Sequence, residues 1–247
     1  MLNRIYIQIC LLVPVLVGSC LSPNPDHVSS PDAELASLLG DLRSVRDGNF
    51  KVSTQRGSDA AEKSRHAAKV EGEIAGELRE LGFLYPGHVP SLVANAALAY
   101  ERSDSVGAQK YLDQALSCDP ANIPAILLRV RIASEGGNLP YARRKLREQL
   151  EILPEVAELR QAYSGVLFLM GEYGEAGAEL DMVDRLKGVT NGTWQTNYHR
   201  GLIAEAEGEL DLAHAFFRRS IEQEPSFLPA ARRARWLDSR RSNSLLP

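Results

Sequence analysis

Side chains able to act as nucleophiles, acids, bases or metal ligands are few and scattered along this 247-residue chain. Cysteines stand at 10, 20 and 118, and histidines at 27, 66, 88, 199 and 214. No pair has His-x-x-x-His or Cys-x-x-Cys spacing, so no metal site is predicted from local pattern. Gly-x-Ser-x-Gly, the phosphate-binding loop and the dinucleotide-binding glycines are also missing, and neither catalysis nor a cofactor is expected. Cys118, as a lone thiol between Ser117 and Asp119, reads as a small buried hydrophobe rather than a nucleophile.

Cys20 is the exception. It follows Met1-Leu-Asn-Arg4, an apolar run from Ile5 to Val17 interrupted by Gln8 and Pro14, and the small pair Gly18-Ser19. Charged start, apolar middle and small-residue end are the three parts of an export signal. The apolar run of about 13 residues is well short of the roughly 20 that cross a bilayer as a helix. Val17-Gly18-Ser19-Cys20 resembles the lipobox of bacterial lipoproteins. That resemblance implies lipidation of Cys20, removal of residues 1–19 and attachment to a membrane facing the periplasm. Leu21, where an aspartate would signal inner-membrane retention, implies the outer membrane. The alternative is an ordinary cleaved signal that carries a cysteine near its cut.

Residues 21–31 contain three prolines and three serines, and residues 20–31 read as a flexible tether. A net charge of −4 offers no general attraction to nucleic acid. With aromatics at 6% and Ala, Leu, Glu and Arg abundant, the composition favours helices over strands. Leu35, Leu38, Leu42 and Val45 recur at three- and four-residue spacing, predicting a helix over 32–47 capped by Asp32. Ala67, Val70, Ile74, Leu78 and Leu81 form a second stripe, ended by Gly82 and Pro86, so 32–86 reads as a helical hairpin.

Beyond it, Pro86, Pro120 and Pro154 are 34 residues apart, as are Ala108, Ala142 and Ala176, and Leu112, Leu146 and Leu180. Gly137 and Gly171 keep the same period. These columns match the tetratricopeptide (TPR) repeat: small residues where two helices cross, a turn, a large apolar residue and a closing proline. The resemblance implies an all-α, TPR-like solenoid of antiparallel helix hairpins with a C-terminal capping helix. Four repeats occupy 89–227, at 89–122, 123–156, 157–190 and 194–227, with a longer loop near 187–192. The cap is placed at 228–240, with Leu228, Ala231, Trp236 and Leu237 facing inward. One column departs from the family: where leucine is usual, the chain has Asn95, Arg129, Tyr163 and Arg200.

Carried over by register, the family's partner-binding groove falls on Tyr100, Leu127, Arg131, Gln161, Phe168, Tyr198 and Glu205. The set is aromatic and weakly charged, and lacks the lysines and asparagines that clamp a C-terminal carboxylate. The basic cluster Arg143-Arg144-Lys145 reads as a solvated helix face, and Asn191-Gly-Thr193 as a turn. The expectation is a membrane-tethered scaffold that takes a protein or peptide segment in its groove and helps assemble an envelope complex. Two alternatives stay open: an adaptor that regulates a cell-wall enzyme, and a cytoplasmic TPR protein if the first 20 residues are no export signal.

Overall fold

The computed structural model describes residues 30–46 and 60–244. The export segment, Cys20 and the tether as far as Ser29 lie outside the described residues, as does the polar stretch 49–58. Among those described there are eleven helices and no strand. None of these helices is long and apolar enough to cross a membrane. The fold is all-α and TPR-like. The chain divides between Arg129 and Val130 into two compact units.

In the first unit, α1 (Pro31–Arg46) and α2 (Ala60–Leu84) pack through the stripes their spacing predicts. Leu35, Leu38, Leu42 and Val45 meet Ile74, Ala75, Leu78 and Leu81, all buried. A fully buried leucine contributes about 1.5–3 kcal/mol, so this hairpin carries a core of its own. Ser30, rather than Asp32, caps α1, its hydroxyl accepting from the Ala33 amide at 3.2 Å. Asp32 instead meets His88 Nε2 at 2.9 Å. The second helix runs through Gly82, where a Cβ would stand 3.0 Å from Asn95 Nδ2, so this glycine permits the close approach of α3 rather than ending α2. Next come α3 (Val89–Glu101), α4 (Ser105–Cys118) and the first half of α5 (Ile123–Glu135).

The second unit holds the rest of α5, then α6 (Leu139–Ile152), α7 (Ala157–Leu169), α8 (Tyr173–Leu186), α9 (Trp194–Glu207), α10 (Leu210–Gln223) and α11 (Leu228–Ser244). The second helices repeat one packing scheme. Ala108, Ala142, Ala176 and Ala213 are fully buried, and so are Leu112, Leu146, Leu180 and Phe217 four residues later. Across from them, Ser164 sends its hydroxyl to the Ala176 carbonyl at 2.8 Å. Gly201 is more constrained, because a Cβ there would stand 2.5 Å from Phe217 Cε1. Phenylalanine in the large-residue column fits because its partner column holds glycine.

The turn inside the hairpins from α3 onward is also repeated. Gly137, Gly171 and Gly208 have φ of 80°, 82° and 84°, and the amide of the following residue bonds back five residues, to Ala133, Leu167 and Ala204. This is the Schellman stop, for which the left-handed residue is normally glycine. The α3–α4 hairpin makes the same bond, Asp104 to Ala99 at 2.8 Å, yet its left-handed residue is Ser103, at φ 65°.

The cap differs from expectation in its facing. Ala230, Ala234 and Leu237 are buried, whereas Leu228 is 56% and Trp236 44% exposed, the indole lying under the Arg240 guanidinium at 4.9 Å. A stripe at spacing four and three from Ala230 meets α10, and Trp236 falls beside that stripe.

Candidate functional site

The polar column that departs from the TPR pattern has a structural role. Asn95 of α3, 2% exposed, donates to the Leu78 carbonyl of α2 at 2.7 Å. Arg129 of α5 pairs with Asp113 of α4. Tyr163 of α7 adjoins Arg143 of α6 and favours its charged form. Arg200 of α9 reaches Asp181 and Asp184 of α8, each at 2.7 Å. Each of these residues ties the first helix of a hairpin to the second helix of the one before. Sequence reasoning saw the column but had no partners for it. The ties also take Arg143 out of the solvated face assigned to it, since it pairs with Glu172 at 2.7 Å as well.

The longer loop, residues 187–193, is pinned from several sides. Thr193 and Thr196 form a reciprocal cap at the start of α9, and Thr196 Oγ1 donates to Asp184 Oδ1 at 2.9 Å. Asn197 Nδ2 donates to the Asn191 carbonyl and to Gln223 Oε1, both at 3.0 Å, while Gln223 returns a bond to the Gly192 carbonyl at 2.9 Å. The Asn191-Gly-Thr193 segment is thus a bend held by the buried Thr196 and Asn197 together with Gln223.

The groove residues assigned by register separate into two kinds. Tyr100 and Leu127, in the first unit, are half-buried on α3 and α5. In the second unit, Gln161 and Phe168 stand seven residues apart on one face of α7, both half-buried, and the Phe168 ring lies 5.5 Å from Tyr173. Arg131 is half-buried and ion-paired within its own helix to Glu135 at 2.8 Å.

Tyr198 is not on a groove. It is 1% exposed, with its ring 5.6 Å from Phe217 and 5.0 Å from Phe227. Burial pushes its phenol above the ordinary value. Glu205 is held by Arg233 of α11 at 2.7 Å, and that guanidinium also stands beside Tyr198. The cap supplies Arg233 at this place, which register transfer between repeats has no means to anticipate.

Two titratable groups belong to no groove. His199 is 4% exposed, and burial holds its imidazole at about 4, neutral through the physiological range. Cys118 is exposed at the end of α4, not buried as expected. No group of three or more His, Cys, Asp or Glu side chains among the described residues could hold a metal ion.

A cleft opens in the first unit. Between α2, α3 and α4 lies a cleft of about 420 Å³, with Ala75, Leu98 and Ala99 among the apolar residues and Arg79, Arg102 and Lys110 among the polar ones lining it. That volume lies within the range of ligand-holding pockets. None of the seven groove positions lines it.

With this geometry in hand, comparison with known proteins defines the class. No protein-family model matches the sequence, and no curated protein does. Solved structures match in fold. A thermophilic TPR protein of Thermus thermophilus superposes with a TM-score of 0.59 at 17% identity, over 70% of this chain and 94% of that one. A tetratricopeptide repeat protein from Parabacteroides merdae has the same TM-score at 15% identity, over 84% and 82%. Yeast Tom70 matches at 0.52 and 11%, over 86% of this chain and 48% of its own. The chain therefore has the tetratricopeptide-repeat fold.

Proposed function

We propose that the protein is a membrane-anchored TPR scaffold, without catalysis of its own, that binds a protein partner during assembly of an envelope complex such as a pilus, secretion or outer-membrane machine. The observation that carries the binding role is the division of labour along the hairpins. Invariantly small and large positions close the core, while Gln161 and Phe168 on one face of α7, and Tyr100 and Leu127 on their own helices, stay half-buried. Such partly covered rows take up a partner's helix or extended segment in repeat proteins. Anchoring is supported by the Val17-Gly18-Ser19-Cys20 motif. Two or three acyl chains, at about 0.8 kcal/mol per buried methylene, hold a protein on a bilayer almost irreversibly. The site of attachment is the periplasmic side of the outer membrane, and the lipid on Cys20 keeps the scaffold within reach of that surface.

The test joins two measurements. Metabolic labelling with a palmitate analogue should mark the wild type and be lost in Cys20→Ser; an unlabelled wild type ends the anchored reading. Crosslinking capture from intact envelopes should then return the same partner for the wild type and for Tyr198→Phe, which keeps the core, and less of it for Gln161→Ala. Capture unaffected by Gln161→Ala would overturn the α7 face. A cell-wall hydrolase as the captured partner would replace assembly with enzyme regulation.

A further inference from the structure

The cleft between α2, α3 and α4 is lined by three exposed cations, Arg79, Arg102 and Lys110, and by one carboxylate, Asp104. Arg79 Nε donates to the Ala75 carbonyl within its own helix at 3.2 Å, and Arg102 Nη2 to the Glu71 carbonyl at 3.4 Å. Among the described residues, Lys110 makes no ion pair, and none of the three cations meets a carboxylate. The acid that lines the cleft, Asp104, is committed to capping α4, with Oδ1 accepting from the Gly107 amide at 2.8 Å. Glu71 and Glu101, which do not line the cleft, share the single guanidinium of Arg46, at 2.8 and 2.5 Å.

Guanidiniums that bridge helices elsewhere are satisfied. Arg160 meets Glu179 at 2.8 Å, Arg200 meets Asp184 at 2.7 Å, and Arg233 meets Glu205 at 2.7 Å. The lining thus carries three positive charges against one negative, a local excess that favours an anionic ligand.

The shape narrows the ligand. Asn95, Leu98, Ala99 and Arg102 run along the last turns of α3 and its C-cap, and Gly107, Lys110, Tyr111 and Gln114 along two turns of α4. At 1.5 Å per residue each stripe is about 10 Å long, the span of roughly three extended residues. An elongated trough with cations at its rim and Leu98 and Ala99 beneath fits a segment that alternates acidic and apolar side chains, not a single compact anion.

We propose that this cleft is a docking site for an extended acidic peptide segment of a partner protein, whose carboxylates meet Arg79, Arg102 and Lys110 while an apolar side chain rests on Leu98 and Ala99. The proposal rests on the reading of the chain as a binder of proteins, and not on its lipid anchor.

The full chain is titrated with a fluorescein-labelled peptide of alternating Glu and Leu, with its Lys-for-Glu counterpart, and with phosphatidylglycerol vesicles. The acidic peptide should bind and the basic one should not. Arg79→Glu with Lys110→Glu should weaken binding by about tenfold or more, as loss of complementary charge does. Arg147→Glu with Arg218→Glu, the same charge change at exposed positions of α6 and α10, should leave it nearly unaltered. Arg79→Gln with Lys110→Gln provides a milder pair and should weaken binding in the same direction. Failure of the acidic peptide to bind the wild type, equal loss in both Glu pairs, or binding of vesicles alone overturns the proposal. If envelope crosslinking still captures a partner in that event, the scaffold reading stands and only the cleft falls.

Discussion

Arg200 of α9 extends back to Asp184 of α8, Nη1 to Oδ2 at 2.7 Å, and the carboxylate it meets is buried. Asp184 also accepts from Thr196 Oγ1 at 2.9 Å, so one acid fixes both the ion pair and the start of α9. Gly192, at φ 72°, lets the loop pass at this point, since a Cβ there would stand 2.8 Å from Arg200 Nη1. The pair is therefore the joint by which the α7–α8 and α9–α10 hairpins hold one another across the longest described inter-hairpin loop.

Removing one member of such a pair leaves a buried charge without compensation, at about 3 kcal/mol. Arg200→Ala should lower stability by that order in denaturant unfolding. Adding Asp184→Asn, which removes the charge while keeping an acceptor for Thr196, should restore more than half of the loss; a double variant as weak as the single one contradicts the assignment.

Ser103 should be the easiest position at which to stabilise the chain. It is a non-glycine residue at φ 65° in a turn that the three hairpins from α5 onward build on glycine. Ser103→Gly removes a left-handed strain of about 1–2 kcal/mol, offset by the greater freedom of glycine in the unfolded chain, for a net gain of about 0.5–1 kcal/mol. A midpoint unmoved or lowered in thermal unfolding would refute it.

Gly201 should tolerate no side chain while Phe217 is present. Gly201→Ala places a methyl within 3.0 Å of three ring atoms and should cost about 1–3 kcal/mol by overpacking. In the background Phe217→Leu, the leucine found in the other hairpins, the same change should cost much less. The double-mutant cycle measures the coupling.

Acid should weaken the protein through His199. Its folded imidazole titrates at about 4, against an ordinary value of 6.5. Between the two the unfolded chain binds a proton that the folded chain does not. The contribution is thus complete above about pH 6.5 and is lost as pH falls toward 4, by on the order of 3 kcal/mol. The slope of stability against pH between 5 and 6.5 should be shallower in His199→Asn than in the wild type, and identical slopes would contradict the burial effect.

The hairpin plan was legible in the residues alone, for a local reason. Ala108 and Leu112, or Ala142 and Leu146, act within one helix turn, and Gly137 and Gly171 stop helices through bonds five residues long. Spacing of that range is written directly in the chain, and so was the departure of Asn95, Arg129, Tyr163 and Arg200 from it. What that departure does was decided by tertiary structure, because each partner, Leu78, Asp113, Arg143 and Asp184, lies 16 to 20 residues away on another helix. Tyr198 makes the same point in reverse. Its register placed it on a groove, but a ring packed between Phe217 and Phe227, with Arg233 arriving from α11, belongs to the core. The cationic cleft was likewise beyond sequence reasoning, since Arg79, Arg102 and Lys110 share no helix and no period. Periodicity reports which side of a helix is apolar; which neighbour that side meets, and whether a charge finds its counter-ion there, depends on contacts made only when the helices pack.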